Sequence, residues 1–380
     1  MNPSTVRYHG LDALRGIAML LGIVLHAALP YIPELPRELW PTDKNSSQAI
    51  RIIYDFIHIW RMPVFFILAG FFANLIVTRR SWRAWWWNRL LRIGLPMIIF
   101  FPIMGFFVPW IWKYGWSGEF YFFYSNDGQP HHLWFLWHLM IFVFCTALFR
   151  GPFLLSAMIL GFTERIQLGF IQKTFVRIGT LAAQMFLRPR IPIGFICLCL
   201  FVNLPTWGEL ILNPLASGLY FVFGYALYTN NKLLSSIISN WASYLIAALV
   251  MFLVYSVLVL TDALVGAGTD LDGLLELLKY VLKVSCATVF SFGFIGLAEG
   301  RFGQFNERLR FISDGSYWMY LIHLPIVAFI TFSMFDWTIP VIFKFMIAIA
   351  VTTFVCLVSY KFFVRNTLIG LLLNGHRSSS

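Results

Sequence analysis

The sequence predicts an all-α polytopic membrane protein of about ten transmembrane helices, and three observations predict it. Hydrophobic residues fill 59% of the 380 positions and charged residues only 12%, too few charges to hydrate the surface of a soluble domain of this length. Apolar runs of spanning length recur along the chain, and Lys and Arg collect in every second connection between them. The 40 Phe and 15 Trp fit the same solvent, as rings facing acyl tails or sitting in interfacial belts.

The runs fall at roughly 11–31, 51–77, 92–112, 132–149, 191–206, 212–229, 239–261, 280–298, 315–335 and 340–363, judged against the ~20 residues a helix needs to cross. The first follows a short basic stretch and ends near Ala27 and Ala28, as a signal peptide would. Asp12 and Arg15 interrupt its apolar core, so it is expected to be retained as helix 1. Arg15 and His26 are eleven residues apart, which returns to within about 20° of one helix face and spans ~16 Å. One face thus joins the helix start to a deep histidine.

Run two carries Asp55, His58 and Arg61 at every third position, a polar stripe on adjacent turns. In antiparallel neighbours His26 and Asp55 both sit ~7 Å below one surface, so the carboxylate is expected to be able to orient His26 and stabilise its imidazolium. Run three follows Arg79, Arg80, Arg83, three consecutive Trp (85–87), Arg89 and Arg92. Arg89 and Arg92, one turn apart at the mouth of that helix, suit phosphate or pyrophosphate held bidentately, and Arg79, Arg80 or Arg83 suits a further phosphate. Coenzyme A offers both groups.

Run four opens with His131, His132, Trp134 and His138. Between runs four and five, Pro152 to Phe162 is too short to span, and the remainder mixes Arg165, Lys173 and Arg177 with Phe170, Ile171, Phe175 and Leu181. A basic amphipathic cytoplasmic segment over 150–190 is expected. Cys145, Cys197, Cys199, Cys286 and Cys356 lie in apolar stretches and read as small buried residues, not a disulfide or metal framework. Run nine carries Tyr317, Tyr320 and His323. Zinc wants three or four ligands in tight geometry, and no short spacing of these histidines supplies them, so no metal is expected.

The formal charge of +11 excludes little by itself, but nucleic-acid binding needs basic residues gathered on one hydrated face, and here they punctuate apolar runs. With the N-terminus inside, nineteen of the 28 Lys and Arg fall in cytoplasmic segments: Arg7; Arg79, Arg80, Arg83, Arg89 and Arg92; Arg150, Arg165, Lys173, Arg177, Arg188 and Arg190; Lys232; Arg301, Arg308 and Arg310; Lys361, Arg365 and Arg377. Ten crossings with both termini cytoplasmic follow. No repeat or linker divides the chain, so residues 1–380 are expected to form a single domain.

The string Leu11 to His26, with ten residues between Arg15 and His26, resembles the signature of the acyltransferase 3 family of integral membrane acyltransferases. The resemblance continues through Arg61-Met-Pro-Val-Phe-Phe to Gly70, the Arg89 and Arg92 pair, His132-Leu-Trp-Phe-Leu136, and Tyr317 through Tyr320 and His323 to Pro325. The Ser of the family's Phe-Phe-x-x-Ser-Gly stretch is Ala69 here. Asp55 to Arg61 and Arg83 to Trp86 resemble a branch of succinyltransferases that act on periplasmic glucans.

What the resemblance implies is a multi-pass protein of the bacterial inner membrane that moves an acyl group from cytoplasmic acyl-CoA, acetyl-CoA or succinyl-CoA, to a glycan hydroxyl outside. Acyl-CoA is then a donor substrate and not a resident cofactor. Arg89, Arg92 and Arg83 are expected to hold it. His26 is expected to be the general base, with Arg15, Asp55, His58, Arg61 and His323 as its catalytic company. His132, Trp134, His138 and Tyr320 are assigned to the acceptor side. The competing reading is a transporter or flippase exporting a glycan or lipid-linked sugar, which predicts paired broken helices in two related halves, and the sequence holds no such duplication.

Overall fold

A computed structural model describes residues 7–33, 35–79, 81–125, 128, 130–146, 148, 192–265 and 272–374, and the expected cytoplasmic segment 150–190 lies outside them. Among the described residues the chain is helical without strands. The helices are α1 (His9–Ala28), α2 (Gln48–Arg79), α3 (Trp82–Arg89), α4 (Leu95–Ser117), α5 (His131–Thr146), α6 (Ile193–Asn203), α7 (Pro214–Thr229), α8 (Asn231–Ser239), α9 (Trp241–Val265), α10 (Asp272–Phe302), α11 (Glu307–Ser333), α12 (Val341–Ser359) and α13 (Leu368–Asn374).

A helix occupies each of the ten apolar runs. Seven helical stretches, His9–Tyr31, Gln48–Arg79, Trp82–Ser117, Trp241–Thr261, Gly273–Phe302, Glu307–Ser333 and Val341–Val364, are long and apolar enough to cross a membrane. The remaining three, α5, α6 and α7, are shorter. The third crossing starts ten residues before its apolar run. A π-helical turn at Leu90–Gly94 carries α3 into α4 without a break, so Arg89 and Arg92 sit at that turn rather than at a helix mouth.

Burial sorts centre from periphery. The most apolar window of α2 is 72% buried, against 17% in α9 and 28% in α12, so α2 is the axis of the bundle and the other two present their Val, Ile and Phe to lipid. The tightest contact is between α2 and α7. A Cβ on Gly70 would stand 1.9 Å from the Phe221 carbonyl oxygen, and one on Gly224 would stand 1.9 Å from the Ile67 carbonyl oxygen. Only glycine permits this approach of two backbones, and lipid-embedded helices use such contacts because van der Waals packing, not water exclusion, holds them together.

The Leu29–Gln48 connection is anchored by an ion pair that no apolar run announced. Lys344 of α12, fully buried, donates to Asp43 Oδ2 at 2.7 Å and to the Phe335 carbonyl at 3.1 Å. Asp43 Oδ1 in turn accepts from the Asn45 amide. Trp116 adds a second tie by donating to the Arg37 carbonyl at 2.7 Å.

Candidate active site

A cavity of about 200 Å³ opens inside the bundle between α1, α2, α5, α10, α11 and the link after α6. Four imidazoles line it, His26, His58, His132 and His323, together with Arg61, Tyr54, Tyr320 and Trp134. Trp40, from the anchored connection, lies stacked against the His26 ring at 5.9 Å.

The positions follow from helix geometry. Tyr54, His58, Arg61 and Phe65 recur at three and four residue spacing and share one face of α2. Asp55 lies one residue off that face. It pairs with Arg51 at 3.8 Å and does not line the cavity. The expected Asp55 to His26 contact is therefore corrected: counting residues gave the two a common depth, but Asp55 points off the cavity face of α2 while His26 lines the cavity.

Arg15 is corrected likewise. It shares a face with His26, yet the ~16 Å of rise between them leaves it at the far end of α1. There it bonds to Ser313 Oγ at 3.0 Å and pairs with Asp12 at 3.4 Å. His138 is buried beside the cavity without lining it, its Nδ1 2.9 Å from Ser217 Oγ and its ring against Phe66. Arg83 is exposed on α3.

His323, His132 and Tyr320 form a knot of fixed hydrogen bonds. Tyr320 Oη donates to the His132 carbonyl at 2.6 Å, and His132 Nε2 lies 3.1 Å from the Tyr320 carbonyl. Pro325 has no N–H to offer Leu321, so that carbonyl is free to face His132 as well. His323 Nδ1 lies 2.8 Å from the Tyr320 carbonyl and 3.0 Å from the Met319 carbonyl. Carbonyl oxygens only accept, so the proton sits on Nε2 of His132 and on Nδ1 of His323. The other nitrogens, His132 Nδ1 and His323 Nε2, are buried and without partners.

Arg61 is enclosed next to them. Among the described residues it has no carboxylate within ion-pair distance, its Nε is buried without a partner, and its one bond is a weak contact to the Met62 sulfur at 3.7 Å. Gly22 makes room for it: a Cβ there would stand 2.1 Å from Arg61 Nη1.

Sequence reasoning missed an ion pair on the opposite wall, Glu209 with Lys283. Burial pushes the Glu209 carboxyl up, but the Lys283 ammonium and His58 outweigh it and hold its pKa below the usual carboxylate value. Lys283 lies inside the eighth apolar run, where an ionisable side chain is by default a functional flag. Glu209, sitting in a link between two runs, carried no such flag. Two strained residues adjoin the segments that deliver these groups: His131 (φ 45°) precedes His132, and Trp207 (φ 50°) lies two residues before Glu209. Non-glycine residues in the left-handed region cost about 1–3 kcal/mol and gather at functional sites.

At the other end of the bundle, Tyr317 Oη donates to the Arg92 carbonyl at 2.6 Å and faces Arg89. Ser313, Tyr317, Tyr320 and His323 lie along one side of α11, with the Tyr317 and Tyr320 rings 6.5 Å apart. From Tyr317 at the arginine pair to His323 at the imidazoles that line rises ~9 Å.

A buried set of oriented imidazoles and an uncompensated guanidinium around one cavity, inside a bundle of apolar helices, is the layout of a membrane-embedded enzyme. A family model described as an acyltransferase domain matches residues 8–361. The chain belongs to the acyltransferase 3 family. Glucans biosynthesis protein C of Escherichia coli (strain K12) is 36% identical over 106 residues, and that of Shigella dysenteriae serotype 1 (strain Sd197) is 35% identical over 106. Those alignments cover 27% of this chain and 26% of the relatives' own length. No solved structure matches.

Proposed function

We propose that this acyltransferase moves an acetyl or succinyl group from cytoplasmic acyl-CoA to a hydroxyl of an extracytoplasmic glycan, across a bacterial inner membrane, with ten crossings and both termini cytoplasmic. The observation that carries the reading is the row of side chains on α11, Tyr317 at the Arg92 carbonyl and Tyr320 in the cavity lining, that lies between the Arg89 and Arg92 end and the His26 cavity. A donor whose phosphates rest on the arginines can extend its acyl end along Tyr317 and Tyr320 to the imidazoles.

There, His26 takes the proton of the acceptor hydroxyl as the oxygen attacks the thioester carbonyl. The C–S bond breaks, the ester forms, and the proton leaves with the thiolate. Arg61 supports the developing oxyanion, since a charge already fixed and enclosed stabilises it without reorganisation. The excess of cations in the cavity, Arg61 and Lys283 against Glu209, favours a donor with a second carboxylate, hence succinyl over acetyl. The names of the similar proteins support a glucan acceptor.

The test is incubation of the purified protein in lipid nanodiscs with radiolabelled acetyl-CoA or succinyl-CoA and a periplasmic glycan fraction. Alkali-labile label on glycan is expected, and it should vanish in His26→Gln. Glycan movement across vesicles without ester formation from either donor would replace the acyltransfer reading with export.

A further inference from the structure

A base works only if one of its ring nitrogens carries a lone pair toward the substrate, and something must hold the proton on the other. Among the described residues no carboxylate does this for His26: Asp55 is turned toward Arg51, and Glu209 stands with Lys283. The His26 Nδ1 atom is buried without a hydrogen-bond partner, and so is His323 Nε2. The two rings lie 5.2 Å apart between centroids and 47° out of plane, so although the two nitrogens are not bonded as they stand, a rotation of the rings brings them within reach of one N–H···N bond.

We infer that His323 is a positioning residue for His26, taking the place that a carboxylate holds in a Ser-His-Asp triad. The polarity of this bond is set by the backbone. Because the Tyr320 and Met319 carbonyls keep the proton of His323 on Nδ1, its Nε2 can only accept. His26 must then donate from Nδ1, which leaves Nε2 with the lone pair on a ring that lines the cavity. His323 neither gains nor loses a proton in the cycle. Besides Trp40 on His26 and the Tyr320 ring 6.2 Å from His323, the titratable and charged groups facing His26 among the described residues are Arg61 and His58 from α2 and His132 from α5. Every one of them is a cation or an imidazole, so the neutral acceptor His323 orients His26 without drawing a permanent proton onto it.

The inference rests on His26 being the base, and the experiment separates the two claims. Steady-state transfer of radiolabelled succinyl-CoA and acetyl-CoA to the periplasmic glycan fraction is measured in nanodiscs for His26→Gln, His323→Leu, His323→Gln and His323→Asn. Gln can present an amide oxygen near the position of Nε2, whereas the shorter Asn cannot reach it. The expected result is a fall in kcat on the order of 10²-fold for Leu and Asn with the donor KM unchanged, and recovery to within roughly tenfold of the parent for Gln.

Parent-like kcat in His323→Leu overturns the positioning role, as does equal loss in Gln and Asn. Should His323→Leu fail to fold, the Gln to Asn ratio alone decides. An active His26→Gln overturns the base assignment instead, whatever position 323 does.

Discussion

Lys344 and Arg61 both lie inside this bundle, and their surroundings are opposite. Lys344 is fully buried and fully answered, by the Asp43 carboxylate, the Phe335 carbonyl and the apolar packing around them. Arg61 is enclosed beside a cavity, has no carboxylate within reach among the described residues, and leaves its Nε unbonded. A charge buried among apolar helices is expensive either way. Where the fold itself supplies the counter-charge, the residue is architecture. Where the fold withholds it and leaves space instead, the residue is waiting for charge carried by a ligand or developed in a reaction.

The largest expected effect falls on the architectural member. Lys344→Met leaves Asp43 buried and unpaired, which should cost about 3–5 kcal/mol of stability, read as a fall in thermal unfolding midpoint in nanodiscs. The double variant Asp43→Leu with Lys344→Met should recover most of it. An unchanged midpoint in the single variant would erase the contrast between the two cations.

Arg61→Met should behave the other way, lowering kcat by about 10²–10³-fold, the range seen when a single oxyanion donor is removed, with no loss of unfolding midpoint. Destabilisation without a specific rate defect would make Arg61 a second Lys344.

A third class of cation sharpens the division, because Arg89 and Arg92 lie at the bundle end and meet no acyl chemistry. Arg89→Ala or Arg92→Ala should weaken coenzyme A binding by about 1.5–3 kcal/mol each, measured by calorimetry, while kcat at saturating donor stays near the parent. Unchanged affinity in both would remove the donor role.

The smallest effect is expected at Asp55. Its partner is Arg51 on its own helix, one turn away, and such a pair is worth roughly 0.3–0.5 kcal/mol. Asp55→Asn should therefore leave the rate within about twofold, and a hundredfold loss would return that carboxylate to the chemistry.

The sequence made the helices legible because lipid imposes one period and one length on every span, and the runs at 11–31, 51–77 and 315–335 each became helices. It also made His26, His58, Arg61, His132 and His323 legible as a group, since each is an ionisable side chain in an apolar run or at its edge. What it could not carry was azimuth between helices. Position along an axis can be counted in residues, but which side of α2 faces α1 depends on packing between helices, such as the Gly70 and Gly224 approach that seats α7. Long-range pairs were hidden for the same reason: nothing local joins Asp43 to Lys344 or Glu209 to Lys283.

The Gly70 and Gly224 contact also has a mechanical side. With no side chain between them, the two backbones cannot slide or roll without colliding, so α2 and α7 travel as one jaw that carries Tyr54, His58, Arg61 and Tyr220. The opposing jaw carries His26 on α1 and Tyr320 and His323 on α11. Any breathing that admits a bulky substrate must therefore part the two jaws along the seam where Arg61 nests against Gly22. Arg61, which the proposed mechanism uses, would move with His58 away from His26 and His323 as the site opens, and return to them only on closure.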